Sequence, residues 1–181
     1  MVDLGASPLA NAYLSADQLQ EPEIFLPLSV FVCTECFLVQ LPEVQSPESI
    51  FTDYAYFSSY SDTWLAHCRR YAEAATGRFG LGPASLVVEV ASNDGHLLRY
   101  FQQQGIPVLG VEPAGNVAHE AQARGVPTLV RFFGAKTAAD MAAQGQRADL
   151  LIGNNVLAHV PDLNDFVAGM RTVLKPDGVI S

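Results

Sequence analysis

The sequence predicts an α/β fold: a parallel sheet with helices on both faces, preceded by a smaller segment of different character. Three observations carry this. From residue 85 onward, short apolar runs rich in valine alternate with helix-length stretches. Gly105, Gly125 and Gly145 each close one of those stretches, where a left-handed residue stops a helix. Polar and acidic residues follow the apolar runs directly, as at the ligand edge of an open α/β sheet.

In chain order, residues 1 to 50 show no helical period. Val2 to Asn11 is short and turn-rich, and Phe25 to Val32 alternates like a strand. That strand runs into Cys33-Thr34-Glu35-Cys36, with Phe37 to Leu41 after it. A C-x-x-C between two short strands fits a zinc knuckle, in which a tight turn aims two thiolates at one ion. A structural zinc site takes four ligands, and Cys33 and Cys36 supply two. A metal-free turn stays open as the other reading. A redox motif fits less well, because no helix opens at Cys33. Residues 51 to 63 are dense in aromatics and hydroxyls: Tyr54, Tyr56, Phe57, Ser58, Ser59 and Tyr60. They suit stacking on a flat ring and hydrogen bonding to a sugar or phosphate; an ordered linker packing on the core is the alternative.

A helix is expected from Asp62 or Thr63 to about Gly77. Trp64, Cys68, Tyr71, Ala72 and Ala75 share one face of it and read as core. The domain boundary falls near 60, giving units 1–60 and 61–181. Strands are expected at 85–91, 107–112, 127–130, 148–154 and 177–181. Helices are expected at 95–104, 114–124, 135–144 and 162–174.

The run 85–98 is central. Leu86, Val87, Val88 and Val90 suit a strand buried on both faces. Ala91, Asn93 and Gly95 then place small residues at every second position, with Glu89 just before. Small residues let the backbone approach a ligand, and the following helix presents free N–H groups. The next run ends on Glu112, a carboxylate placed to accept hydrogen bonds from both hydroxyls of a ribose. Farther on, Phe133 suits an adenine contact or closure of the core. Asn154 and Asn155 follow the fourth strand, where they can orient a ligand. His159 suits a general base or a hydrogen-bond donor, with a structural histidine as the alternative.

Composition narrows the partners. The chain has 181 residues, 49% hydrophobic and 16% charged, enough for a folded domain with a real core. Its net charge of −9, without a basic cluster, disfavours nucleic acid and anionic membrane surfaces. No apolar run reaches transmembrane length, and the N-terminus lacks a basic region followed by an apolar core. Three cysteines fit a reduced, cytoplasmic protein better than a disulfide scaffold.

Motif spacing points to a family. The pattern acidic-x-small-x-small-x-Gly at 89–95 resembles the first motif of class I methyltransferases that use S-adenosylmethionine. PLAN (8–11), the CxxC at 33–36 with FLVQL, FTDYAYFSSYSDTW (51–64), VVEVASNDGHLL (87–98), VLGVEPAGNVA (108–118) and ADLLIGNNVLAHVPDLNDF (148–166) together resemble the sugar C-methyltransferases of deoxysugar biosynthesis. These act on nucleotide-linked 4-keto-6-deoxysugars, often in antibiotic pathways. The likeness covers essentially the whole chain. It implies a Rossmann-like sheet with a small zinc-binding N-terminal part. It implies S-adenosylmethionine held by Glu89, Ala91, Ser92, Asn93, Gly95, Glu112 and Asn154. It turns the segment around Tyr56 toward the sugar, which makes Tyr56 and His159 the candidate catalytic groups.

The implied chemistry is proton removal beside a ketone, attack of the enolate carbon on the sulfonium methyl, and departure of S-adenosylhomocysteine. The resemblance also implies a further cysteine pair before residue 8 and a further domain beyond Ser181, the latter carrying a Tyr or His base. The strand 177–181 is therefore expected to be an unpaired, association-prone edge. Two rivals are a non-catalytic donor-binding fragment and a nicotinamide-dependent oxidoreductase. A third is a methyltransferase with another acceptor.

Overall fold

The computed structural model describes residues 1–52 and 54–181; Asp53, inside the aromatic segment, lies outside the described residues. The chain divides into two units, Met1–Phe51 and Thr52–Ser181.

The smaller unit is a three-stranded antiparallel sheet of β1 (Val2–Ser7), β2 (Leu26–Val32) and β3 (Val39–Gln40), in the order β1-β2-β3. The short helix α1 (Pro47–Phe51) follows. The turn-rich reading of the first residues is corrected here, because they form β1. Val2 pairs with Val30 and Ser7 with Leu26, so an alternating partner strand overrides a weak local pattern. An irregularity between Asp3 and Ala6 takes up the turn-forming residues. None of the described residues of this unit is buried.

The larger unit opens with α2 (Asp62–Phe79). Its cap is Ser61, one residue before the expected position, whose hydroxyl accepts from the Trp64 N–H at 3.3 Å. It runs past Gly77 to Gly80, the residue that turns left-handed, with φ +61. Cys68, Ala72 and Ala75 are its buried face, and Trp64 and Tyr71 pack partly against the same core.

Then β4 (Val87–Val90), α3 (Leu98–Gln102), β5 (Val108–Val111), α4 (Gly115–Ala123), β6 (Thr128–Leu129), α5 (Ala135–Ala143), β7 (Ala148–Ile152), α6 (Leu163–Val173) and β8 (Leu174–Ile180) alternate. The five strands are parallel, in the order β6-β5-β4-β7-β8. Every residue of β4 and β5 is buried, as strands covered on both faces require. Alternation sends Val87, Leu150 and Ile152 into a core with α2, α3 and Ala121 of α4. It sends Val88, Val90, Leu109 and Val111 into a second core with Ala138, Met141, Phe166 and Met170 of α5 and α6. Gly105, Gly125 and Gly145 have φ of +76, +81 and +76 and stop their helices as expected. β8 lies at the edge of this sheet, with Ile180 exposed.

The unit boundary at 51/52 differs from the expected one near 60. Residues 54 to 60 are tied by hydrogen bonds to the loop after β4 and to α4, so they belong with the larger unit.

Candidate functional site

The carboxyl ends of β4 and β5 carry the densest group of buried polar side chains. Ala91, Asn93 and Gly95 all adopt left-handed backbone, with φ of +54, +51 and +72. Glycine enters that region without steric cost and asparagine at little, so Ala91 is the position that stores strain the surroundings must hold. Glu112 is the holder. Its Oε2 accepts from the Asn93 N–H and its Oε1 from the Ala114 N–H, both at 2.9 Å. The Ala91 N–H donates to the Val111 carbonyl at 2.8 Å. Below the loop Gly110 leaves room for Ser92: a Cβ there would run into the Ser92 hydroxyl and stand 3.0 Å from Thr128 Oγ1. The Ser92 side chain is therefore part of the floor, and only its backbone faces the loop. A Cβ on Gly95 would press against Val126 at 3.0 Å, so this position accepts glycine on both conformational and packing grounds.

Three acids meet here. Glu89 is 2% exposed, and its Oε2 has no hydrogen-bond partner among the described residues. Burial pushes its carboxyl well above the usual carboxylate range, and the charges of Glu112 and Asp94 push the same way. Burial also raises Glu112, against the opposing pull of the Ala114 and Asn93 N–H groups. Asp94 goes the other way. Burial would raise it, but the adjacent His96 and Ser59 side chains and the charges of His96 and Arg124 bring it to about 2. Arg124 Nη1 stands 2.9 Å from Asp94 Oδ2, and His96 Nδ1 3.3 Å from Asp94 Oδ1. Among the described residues, no cation pairs with Glu89 or Glu112.

The aromatic segment lies against this loop. Asn93 Nδ2 donates to the Tyr56 carbonyl at 3.0 Å, and the Ser58 N–H donates to Asn93 Oδ1 at 2.9 Å. A second asparagine repeats the arrangement. The Tyr54 N–H donates to Asn116 Oδ1 at 3.1 Å, and Asn116 Nδ2 donates to the Tyr54 carbonyl at 2.7 Å. Arg124 Nη1 also donates to the Ser59 hydroxyl. The Tyr56 ring stays half exposed, edge-on to Tyr54.

The structure thus gathers Glu89, Ala91, Ser92, Asn93, Gly95 and Glu112 into one cluster and brings the Tyr56 backbone to it. It does not do so for the rest. The Phe133 ring packs edge-on against Phe166 at 5.2 Å, so of its two readings the contact observed is closure of the core. Asn154 and His159 lie in the loop after β7, both exposed, His159 at the end of a 3-10 turn from Leu157. Asp94, His96 and Arg124 are the members that sequence reasoning missed. The available signal was the polar Asp-Gly-His run entering a helix whose next residues, Leu97 and Leu98, are buried.

In the smaller unit, Cys33 and Cys36 are free thiols on the turn between β2 and β3. The Cys36 and Glu35 backbone N–H groups hold the Cys33 thiol below its ordinary pKa, which favours the thiolate a metal needs. Phe37, directly after the pair, is left-handed at φ +61 and closes the turn with an N–H to the Cys33 carbonyl at 3.1 Å. The turn fits half of a zinc site; among the described residues no group of three or more potential ligands forms. Cys68 is buried in the larger unit with its thiol pushed up to about 11 and is no ligand. Among the described residues, no helix is long and apolar enough to cross a membrane.

Comparison with known proteins adds the following. Residues 88–180 match the family described as "Methyltransferase domain", and residues 1–51 match one described as "Putative zinc binding domain". The C-methyltransferase NovU of Streptomyces niveus is 36% identical over 179 residues, which is 99% of this chain and 43% of that protein. A ubiquinone biosynthesis O-methyltransferase of Rhizobium etli is 30% identical over 124 residues, covering 64% of this chain and 49% of that protein. The chain spans less than half the length of these relatives. A solved structure titled a putative S-adenosyl-L-methionine-dependent methyltransferase, from Methanococcus maripaludis, superposes with a TM-score of 0.54 at 15% identity. It covers 68% of this chain and 58% of that one, and shows the likeness of fold.

Proposed function

The chain belongs to the methyltransferase family, and from that premise we propose that its larger unit binds S-adenosylmethionine and directs the methyl to carbon of a nucleotide-linked 4-keto-deoxysugar. The observation that carries the donor assignment is the pair Glu89 and Glu112. Two buried acids, without a cationic partner among the described residues, flank a left-handed loop at the carboxyl edge of the sheet. A ligand with a sulfonium and an ammonium group supplies the positive charge such a site lacks. Glu112 keeps unused lone pairs on both oxygens for ribose hydroxyls, since each accepts one backbone N–H. Ala91, Ser92, Asn93 and Gly95 contribute backbone.

When bound, S-adenosylmethionine supplies an electrophilic methyl. The protein's task is then to align the acceptor carbon with it and to keep water out. His159, exposed beside that edge, and Tyr56, in the segment tied to Asn93, are the groups of this chain suited to hold or move the proton next to the sugar ketone. The carbon acceptor is favoured by the relative named a C-methyltransferase, which matches over nearly the whole chain, and the sugar by the 51–64 motif. Cys33 and Cys36 are proposed as two of four zinc ligands in the smaller unit.

Oxygen methylation is the second reading, favoured by the relatives named O-methyltransferases. The deciding experiment incubates the protein with 13C-methyl S-adenosylmethionine and a thymidine-diphosphate 4-keto-6-deoxysugar, then reads the product by NMR. A labelled methyl on carbon supports the proposal. A labelled methyl on oxygen overturns the acceptor assignment, and binding of NADH in preference to S-adenosylmethionine overturns the donor assignment.

A further inference from the structure

We infer that Asn93 is a positioning residue whose side-chain amide clasps the aromatic segment to the donor loop and so couples the two sides of the reaction. This rests on the reading of the larger unit as a donor-binding domain. Asn93 is bonded in both directions. Its N–H donates to Glu112 Oε2 at 2.9 Å, on the side proposed to take the ribose. Its Oδ1 and Nδ2 both engage the backbone of Ser58 and Tyr56, at 2.9 and 3.0 Å, on the side proposed to face the acceptor. The side chain is 7% exposed, so its amide is committed to these bonds and is not presented to a ligand. Asparagine is also one of the few side chains at ease in left-handed backbone, and Asn93 has φ +51. Glycine would satisfy the same backbone but offer no clasp. Asn116 holds Tyr54 and Arg124 reaches the Ser59 hydroxyl, so the segment is fastened at several points, and the Asn93 fastening is the one that also bonds Glu112 among the described residues.

The consequence is directional. Occupancy of Glu112 restricts the Asn93 peptide, the Asn93 amide restricts residues 56 to 58, and the acceptor meets a segment already in register with the donor. The side chain acts through its neighbours and touches neither reactant.

The test is residue-resolved amide hydrogen exchange by NMR on the full chain, with S-adenosylhomocysteine as the probe and calorimetry to report its binding. In Asn93→Gly the Ser58 amide is expected to exchange about tenfold faster, the loss of one protecting hydrogen bond, while Tyr54 is unchanged. Asn93→Asp retains an acceptor for the Ser58 N–H and restores its protection. Asn116→Ala gives the reverse pattern, with Tyr54 faster and Ser58 unchanged. S-adenosylhomocysteine slows residues 56 to 58 in the wild type. At a concentration that calorimetry shows to saturate each protein, it no longer slows them in Asn93→Gly. Unchanged Ser58 exchange in ligand-free Asn93→Gly overturns the clasp, and ligand-induced slowing that survives in that variant overturns the coupling. A wild-type protein that binds no S-adenosylhomocysteine sinks the donor reading and the coupling with it, while the ligand-free comparison still decides the clasp.

Discussion

Along the carboxyl edge of the parallel sheet, the loops after β4 and β5 bury Glu89, Asn93, Asp94 and Glu112, whereas the loop after β7 leaves Asn154, Asn155 and His159 exposed. The buried half is internally bonded: a carboxylate holds two backbone N–H groups, and an amide holds a crossing segment. Groups fixed this way cost little reorganisation when a ligand arrives, but each is tied to the stability of the fold. The exposed half faces solvent, where substitution costs the fold less. The two halves of the same edge therefore differ in their expected tolerance to substitution.

Substitution sharpens that contrast, and the largest effect is expected beneath the buried half. Gly110→Val forces a side chain into Ser92 and Thr128. It should cost about 3 kcal/mol of stability, as overpacking does, and abolish donor binding. Urea denaturation gives the first and calorimetry the second. A fully stable variant would show that the loop floor yields.

Asp94→Asn comes next. The wild-type carboxyl lies at about 2 in the fold against an ordinary 3.8. A depressed acid stabilises the fold above its unfolded pKa, and that contribution disappears as pH falls through the folded value. The variant should therefore lose at most about 2 kcal/mol near pH 7, because a partly exposed Arg124 screens the interaction, with the difference shrinking through about pH 3 and vanishing below the folded value. Stability curves at several pH values test this.

Glu89→Gln has the opposite sign. The folded pKa is raised, so the wild type is most stable below the unfolded value near 4.5 and weakens as pH climbs toward the folded one. The amide removes that penalty, and the gap between variant and wild type should widen in the variant's favour above pH 4.5 while donor affinity falls. A variant less stable than wild type at pH 7 would contradict the assignment of an unpaired buried acid.

The smallest effect belongs to the exposed half. His159→Ala should change stability by no more than about 0.5 kcal/mol and leave donor affinity in place, with any loss confined to acceptor turnover. A large drop in stability would erase the contrast between the two halves.

Much of this architecture is legible in the sequence. The valine runs of β4 and β5 and the stops at Gly105, Gly125 and Gly145 report short-range physics, and each strand of the parallel sheet stands within a few residues of expectation. The pairing of Glu89 with Glu112 around a small-residue loop is also legible, because strand order fixes which ends meet. What is hidden depends on contacts between distant residues. β1 exists because β2 pairs with it, and nothing in Val2 to Ser7 alternates strongly enough to announce that. The commitment of the Asn93 amide to Tyr56 and Ser58 spans more than thirty positions, as does the contact between Arg124 and Ser59. Phe133 is ambiguous for the same reason: an aromatic after a strand suits a ligand or a core, and only its place beside Phe166 shows which neighbour it has.

The most direct measurement is calorimetric titration of S-adenosylmethionine into the wild type and Glu112→Ala. Glu112 serves both as the anchor of the loop backbone and as the proposed ribose acceptor, so the account predicts clear binding to the wild type and a loss of about 30-fold or more in the variant, two or more hydrogen bonds' worth. Equal affinity in the two proteins, or no heat in either, would contradict it.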